Sequence, residues 1–100
     1  MGTHFSVDRL ILPLINEAVI CLQENVARVK DIDLAMMAGA GMPKGPLTLA
    51  DERGLDEVLS MLEQWERKLG PRFHPAPLLR RKVRAGHLGK KAGRGFHEYA

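Results

Sequence analysis

Apolar residues recur at helical spacing along most of the chain. Between Asp8 and Gln23 they stand three and four positions apart and form a broad face beside a narrow polar stripe. Pro13 lies inside this pattern and removes one backbone donor, so we expect a kink there or a first turn held by another group. The most regular pattern follows Gly54 and comprises Leu55, Val58, Leu59, Leu62, Trp65 and Leu69. These patterns predict a largely buried first helix and a long amphipathic helix after Gly54.

The segment from Gly39 to Asp56 interrupts the helical pattern with four glycines and two prolines. Gly39 and Gly41 predict the end of one helix, because glycine takes positive φ at little cost. Gly45-Pro46 predicts the cap and first turn of a short helix. So many special backbone residues in one segment indicate a defined bend, which either closes the core or shapes the edge of a pocket.

Other boundaries follow from capping residues and prolines. Asp8 and Asp31 are placed to cap the first and second helices. Residues 72–77 contain two prolines and predict an extended connector. Pro77 opens a further helix, apolar on one side and basic on the other, that runs through Ala85.

Together these elements predict an all-α bundle of about five helices. The chain has no internal repeat, no heptad run and no long alternation of apolar and polar residues, so we expect almost no strand. One hundred residues, 45% of them hydrophobic, suffice for a single core. We assign residues 7–99 to this helical domain and interpret residues 1–6 as a leader, either native or added to the domain.

Composition excludes several classes of protein. The apolar stretch of the first helix is interrupted by Pro13, Asn16 and Glu17, so it is too short to span a membrane. The N-terminus has neither the basic start nor the apolar core of a signal peptide. Cys21 is the single cysteine and cannot form an internal disulfide. These features favour a cytoplasmic protein.

Charge is divided unevenly along the chain. Residues 71–100 hold eight Lys and Arg against one acidic residue, whereas residues 1–70 hold seven against eleven. A basic segment of this kind suits nucleic acid, the phosphates of a coenzyme, or the acidic part of the same protein. Phe73, Phe96 and Tyr99 show no regular spacing, so a nucleic-acid partner is not expected.

Candidate chemistry within the chain is sparse. The four histidines, His4, His74, His87 and His97, lack the spacing of metal ligands, and we expect most of them in loops or at the surface. No nucleophile elbow surrounds Ser6 or Ser60. Residues 86–95 resemble a phosphate loop but lack the Walker A spacing, so a tight turn is favoured. No glycine fingerprint follows a strand, which excludes a dinucleotide site of the usual kind.

Several motifs in order resemble the C-terminal helical domain of L-3-hydroxyacyl-CoA dehydrogenases. They are DRLILPLINEA at 8–18, DIDLAMMAGAGMPKGPLTLAD at 31–51, GLD at 54–56, RFHPAPLL at 72–79 and GHLGKKAGRGFHEY at 86–99. The resemblance covers about residues 7–99. It implies a helical fold of the 6-phosphogluconate dehydrogenase C-terminal-like type.

The resemblance also implies a function. In this family a separate Rossmann domain holds NAD and a catalytic His-Glu pair, while the helical domain closes over acyl-CoA and commonly forms a homodimer interface. The parent enzyme would oxidise the 3-hydroxyl of an acyl-CoA in fatty-acid β-oxidation. The chain contains neither the cofactor fold nor the His-Glu pair, so we expect no catalytic residue, no bound cofactor and no activity from it alone.

Asp8 departs from the family pattern. Catalytic members commonly have an Asn before the Arg-Leu of the first helix, and that Asn contacts the substrate; here Asp8 precedes Arg9. An ionised carboxylate accepts hydrogen bonds but cannot donate them, so Asp8 would be either a helix cap or an altered pocket residue. The substitution resembles the second, non-catalytic copy found in some tandem members. Ala92 and His97 are smaller departures, standing where Thr and an aromatic residue are frequent.

Two other functions fit the residues. The chain could be an interaction module whose basic C-terminal segment meets an acidic partner or nucleic acid, and salt-dependent binding to nonspecific DNA would favour that function. It could also be a pure dimerisation domain, which predicts stability that depends on protein concentration and an apolar patch on the first helices.

Overall fold

The computed structural model describes residues 6–99, and helices account for most of them. The α-helices are α1 (Asp8–Gln23), α2 (Val29–Ala40), α3 (Pro46–Arg53), α4 (Leu55–Leu69) and α5 (Pro77–Arg84), with 3-10 turns at Pro71–Phe73 and Lys90–Ala92. Beyond these, the described residues contain two isolated antiparallel bridges, which join residue 94 to residues 89 and 98. The all-α bundle of about five helices is therefore confirmed. Of the predicted leader, residues 1–5 lie outside the described part of the chain.

The short helix α3 lies at the centre of the fold, in contact with α1, α2 and α4. Every helix contributes buried apolar side chains to one cluster. Its fully buried members are Leu12, Ile15, Val19, Leu47, Ala50, Leu55, Val58, Leu62 and Leu79. Burying each large aliphatic side chain contributes about 1.5–3 kcal/mol to folding, which is why the helical periodicity of the sequence predicts this core well. No helix within residues 6–99 has both the length and the apolar character that crossing a bilayer requires.

Two polar side chains of α1 hold the connector that leads into α5. Asn16 is 5% exposed; its Nδ2 donates to the His74 carbonyl at 2.9 Å and its Oδ1 accepts from the Ala76 amide at 2.8 Å. Gln23 Oε1 accepts from the Leu78 amide at 3.0 Å in the first turn of α5. The connector begins with a 3-10 turn rather than being extended throughout, and α1 satisfies the backbone groups that the turn leaves unpaired.

The second helix begins three residues earlier than its capping pattern predicts. Arg28 precedes α2 in an extended conformation, and Asp31 lies within the first turn instead of at the N-cap. The Asp31 carboxylate contacts the Arg28 side chain at 3.3 Å. The prediction of Asp31 as a cap is wrong, because Val29 and Lys30 already adopt helical conformation and an acidic residue in a first turn is favourable without capping it.

The Gly39 to Asp56 segment builds a corner around α3. Gly41, at φ +70°, ends α2, whereas Gly39 still lies inside that helix. Gly45 and Pro46 start α3 as predicted, and Gly54, at φ +100°, separates α3 from α4. Few residues other than glycine adopt such positive φ, so the two glycines fix the places where the chain turns.

Candidate functional site

The first turn of α1 and the last residue of α3 are joined by an ion pair. Arg53 Nη1 donates to Asp8 Oδ1 at 2.6 Å, and Arg53 Nη2 donates to Asp8 Oδ2 at 3.0 Å. Both side chains are partly shielded, with 28% of Arg53 and 32% of Asp8 exposed. Hydrogen bonding and the nearby charge lower the pKa of Asp8 below its ordinary value and raise that of Arg53. The pair is a two-pronged guanidinium-carboxylate contact, which fixes orientation as well as charge.

Asp8 is not the cap of α1. Val7 occupies the position before the helix, and no side chain caps the first turn by a hydrogen bond. The Asp8 carboxylate is engaged by Arg53 across the α1-α3 contact, which directs it away from the backbone amides of its own helix. The capping interpretation is therefore wrong. Asp8 does not cap the helix because Arg53, a charged partner 45 residues away along the chain, holds the carboxylate more strongly than a local amide would.

A groove with mainly apolar walls lies beside this ion pair. Ile11 from α1, Leu49 from α3 and the intervening Met42-Pro43 form its walls, around a volume of about 450 Å³. Lys44 and Glu52 border it, and their side chains form an ion pair at 2.9 Å. Residues three or four apart share one face of a helix, so Asp8 stands one turn from Ile11 and Arg53 one turn from Leu49. The Asp8-Arg53 pair is therefore one helical turn from two groove residues, and neither member of the pair lines the groove itself.

A second polar cluster surrounds Asp33 of α2, which is 5% exposed. Its carboxylate accepts from the backbone amides of Leu47 and Thr48 at 2.8 and 3.1 Å, which caps the N-terminus of α3 from another helix. The Thr48 hydroxyl donates to the same carboxylate at 2.7 Å. His97 Nε2 lies 2.8 Å from Asp33 Oδ2 and contributes the fourth contact. Buried carboxylates require such partners, and here three of the four come from α3.

Asp51 of α3 holds the C-terminal segment in the same manner. This side chain is 1% exposed, and its carboxylate accepts from the backbone amides of Phe96 and His97, both at 2.9 Å. The Tyr99 hydroxyl donates to Asp51 Oδ2 at 2.7 Å. Burial, together with this bond to a carboxylate, raises the pKa of the Tyr99 phenol above its ordinary value. The Asp33 and Asp51 carboxylates together fasten residues 96–99 onto α2 and α3.

The sequence does not reveal this network. His97 is in a loop as expected, but its ring is only 28% exposed and engaged by Asp33, so it is not a free surface histidine. The sequence patterns indicate no role for Asp33 and Asp51 beyond their place in the motifs. A usable signal was present: each aspartate lies directly beside residues of an apolar helical face, where an acidic side chain requires a partner.

The geometry of the cluster argues against nucleophilic catalysis. A catalytic triad needs one imidazole nitrogen on the hydroxyl and the other on the carboxylate. Here Thr48 Oγ1, at 3.3 Å, and Asp33 Oδ2, at 2.8 Å, both contact His97 Nε2. Since the Thr48 hydroxyl already donates to Asp33, the imidazole has no proton to accept from it. The arrangement fixes structure.

The backbone passes so close to the side chains of these two aspartates that positions 45 and 95 must be glycine. A Cβ added at Gly45 would overlap the Asp33 side chain, and one added at Gly95 would overlap Asp51 and the Gly89 backbone. Neither Gly45 nor Gly95 has positive φ, so the requirement is for space rather than for backbone conformation.

The basic C-terminal segment meets the acidic part of the same chain at two places. Arg80 Nη1 donates to Glu63 Oε2 at 2.7 Å, and Lys91 Nζ approaches the Asp56 carboxylate at 2.7 Å. Lys82 Nζ donates to the Gly95 carbonyl at 3.1 Å, and burial lowers the pKa of this lysine. The charge distribution suggests three partners for the basic segment. One of them, the acidic part of the same chain, is thus observed for part of the segment.

The remaining candidates do not form a metal or cofactor site. His74 Nδ1 lies 2.7 Å from Glu66 at the surface, and His4 lies outside the described residues. Across residues 6–99, no three His, Cys, Asp or Glu side chains are arranged to hold a metal ion. A Rossmann-type NAD site requires a strand that leads into a glycine-rich turn and a helix, and residues 6–99 offer only isolated bridges. Residues 6–99 therefore do not provide a Rossmann-type NAD site.

Known proteins resemble the chain over nearly its whole length. The family model of the 3-hydroxyacyl-CoA dehydrogenase C-terminal domain matches residues 5–99. A probable 3-hydroxybutyryl-CoA dehydrogenase of Bacillus subtilis is 50% identical over 96 residues, which are 95% of this chain and 33% of that protein. The mitochondrial hydroxyacyl-coenzyme A dehydrogenase of Sus scrofa is 39% identical over 97 residues, covering 95% of this chain and 31% of that protein.

Solved structures agree with this relationship. The (S)-3-hydroxybutyryl-CoA dehydrogenase PaaH1 of Ralstonia eutropha superposes with a TM-score of 0.92 at 42% identity, over 99% of this chain and 35% of that one. FadB2 of M. tuberculosis gives a TM-score of 0.93 at 40% identity, again over 99% of this chain and 35% of the other. The chain spans about a third of the length of the curated relatives it matches. It belongs to the 3-hydroxyacyl-CoA dehydrogenase family and corresponds to the C-terminal domain of those enzymes.

Proposed function

We propose that this domain encloses the acyl-CoA substrate of an NAD-dependent 3-hydroxyacyl-CoA dehydrogenase of fatty-acid β-oxidation. The hydride transfer and NAD binding would reside in a separate Rossmann domain, and we place the parent enzyme in the cytoplasm. The observation that carries the proposal is the groove walled by Ile11, Met42, Pro43 and Leu49, with the Asp8-Arg53 pair one helical turn from Ile11 and Leu49. An acyl chain suits apolar walls, and a thioester carbonyl suits a polar end.

The position of the groove supports this assignment. It lies between the start of α1, where the family resemblance places a substrate-contacting residue, and the corner that precedes α3. Ile11 and Leu49 belong to regular helices, whereas Met42 and Pro43 belong to the connecting loop. Rigid helices would fix one wall, and the loop would adapt to the ligand.

Amide-resolved NMR titration of the chain with acetoacetyl-CoA, with free CoA as control, tests the proposal. We expect thioester-specific shifts at the start of α1 and in residues 42–53. Met42→Glu should abolish these shifts because it places a charge in the apolar wall, while Gln64→Glu, exposed on α4 and outside the groove lining, should preserve them. The proposal is wrong if the shifts are absent or if they lie elsewhere.

We further propose that the domain forms a homodimer. Large apolar side chains are exposed on and next to the first two helices, including Leu10 at 65%, Leu34 at 63% and Met37 at 44%. Exposed apolar side chains on these two helices are what a dimer interface would cover. Sedimentation equilibrium of the wild type and of Leu34→Asp tests it: the wild type should associate and the variant should not.

A further inference from the structure

Arg53 has more hydrogen-bond donors than its partners use. A guanidinium carries five N–H donors. Two of them bind Asp8, and a third approaches Met61 Sδ at 3.7 Å. Within residues 6–99 these contacts leave the Nε proton and one Nη1 proton of Arg53 for another acceptor. The side chain as a whole is 28% exposed, so the guanidinium is not closed off from solvent.

Asp8 orients this guanidinium one helical turn from the groove residues Ile11 and Leu49. The two bonds to Asp8 fix the plane of the guanidinium, and the lowered pKa of Asp8 keeps the carboxylate charged at neutral pH. A lone carboxylate here would repel a carbonyl oxygen, whereas the pair presents a fixed cationic donor instead. The aspartate at position 8, which stands where the family commonly has asparagine, therefore acts together with Arg53 as one ion pair.

We propose that Arg53 is a substrate-contacting residue of this domain and donates hydrogen bonds to a carbonyl oxygen of the 3-oxoacyl thioester. Asp8 acts as its positioning residue. This inference rests on the proposed function, since it requires the acyl thioester to occupy the groove. It also distinguishes the chain from a non-catalytic second copy, in which the pair would only join α1 to α3.

Two substitutions separate contact from structural support. Arg53→Gln and Asp8→Asn both remove the ion pair. If the pair is purely structural, the two variants should lose the same stability. They should also change the affinity for acetoacetyl-CoA equally or not at all. A substrate contact predicts divergence: Arg53→Gln removes the contact, whereas Asp8→Asn keeps the guanidinium and loses only its positioning carboxylate, so affinity for acetoacetyl-CoA should fall less in Asp8→Asn than in Arg53→Gln. Arg53→Gln should weaken that affinity about ten-fold or more, the effect of losing a hydrogen bond from a charged donor. Arg53→Lys keeps the positive charge and serves as the control for misfolding. It should still weaken binding, because lysine lacks the planar guanidinium with its several donors.

Affinities would be measured by the same NMR titration, with free CoA as the ligand control. Arg80→Gln is the protein control, because it breaks the comparable Arg80-Glu63 pair, which borders no part of the groove. If the wild type binds and Arg53→Gln binds equally well, or if Asp8→Asn and Arg53→Gln weaken binding equally, the inference about Arg53 is wrong while the proposed function stands. If the wild type shows no thioester-specific response, the proposed function fails and the inference falls with it.

Discussion

His97 Nε2 lies 2.8 Å from Asp33 Oδ2, a contact between residues 64 positions apart that joins the C-terminal segment to α2. The same carboxylate caps α3 through the amides of Leu47 and Thr48. One buried side chain therefore connects three parts of the fold, and its removal should have effects in all of them.

Replacement of Asp33 by alanine should lower the free energy of unfolding by about 2 kcal/mol or more, because a helix cap is lost and buried donors are left unpaired. Urea denaturation would measure the change. Asp31→Ala is the matched control, since that carboxylate is exposed and pairs only with exposed Arg28. Its effect should stay within about 0.5 kcal/mol, and equal losses in the two variants would contradict the assigned role of Asp33.

The Gly45→Ala substitution should destabilise the domain by about 1–3 kcal/mol, because the added methyl overlaps the Asp33 side chain and displaces the cap of α3. Gly39→Ala offers the opposite case. It lies inside α2 with open space around it, so alanine should stabilise the helix by up to about 1 kcal/mol. Thermal unfolding of both variants would test the pair, and a common sign for the two changes would refute the steric argument.

Tyr99 should make folding stability sensitive to alkaline pH. Its pKa is raised in the folded state, so the contribution of the neutral phenol is complete below the ordinary value of 10.0 and is lost as the pH rises through the raised value. Tyr99→Phe should cost about 1 kcal/mol at neutral pH and abolish this component of the pH dependence. Tyr99 is the single tyrosine, so phenolate absorbance reports it alone. Titration near 10.0 in the folded protein would contradict the prediction.

Asp8 should contribute stability with the opposite pH dependence. Arg53 lowers its pKa in the folded state, so the contribution is present above the ordinary value of 3.8 and is lost as the pH falls through the lowered value. The difference in stability between the wild type and Asp8→Asn should therefore shrink on acidification below that value. Urea midpoints measured from neutral to acidic pH would test this, and a difference independent of pH would exclude the ion pair as its source.

The helices were predictable because each depends on local information. Periodic apolar residues and the glycine-proline boundaries near Pro46 and Gly54 act within a few positions of the sequence. Asp31 was misassigned as a cap because helix starts depend on conformational preferences that differ little between adjacent residues.

The candidate site was predictable only in part. The family resemblance indicated the position of Asp8, but its partner Arg53 is 45 residues away, and spacing carries no information about that contact. Spacing likewise gives no indication of the Asp33-His97 and Asp51-Tyr99 contacts, because their partners are far apart in the sequence. Local patterns show that an aspartate lies beside a buried face, but the tertiary fold decides which donor reaches it.

The fastening of residues 96–99 by Asp33 and Asp51 also constrains the order of events during synthesis. The ribosome releases α2 and α3 well before the segment that completes their hydrogen bonds. Until that segment emerges, the Asp51 carboxylate lacks its three partners from the C-terminal segment and must remain hydrated, whereas Asp33 lacks only its contact with His97. The nascent domain therefore cannot complete its contacts around α3 until residues 96–99 have emerged.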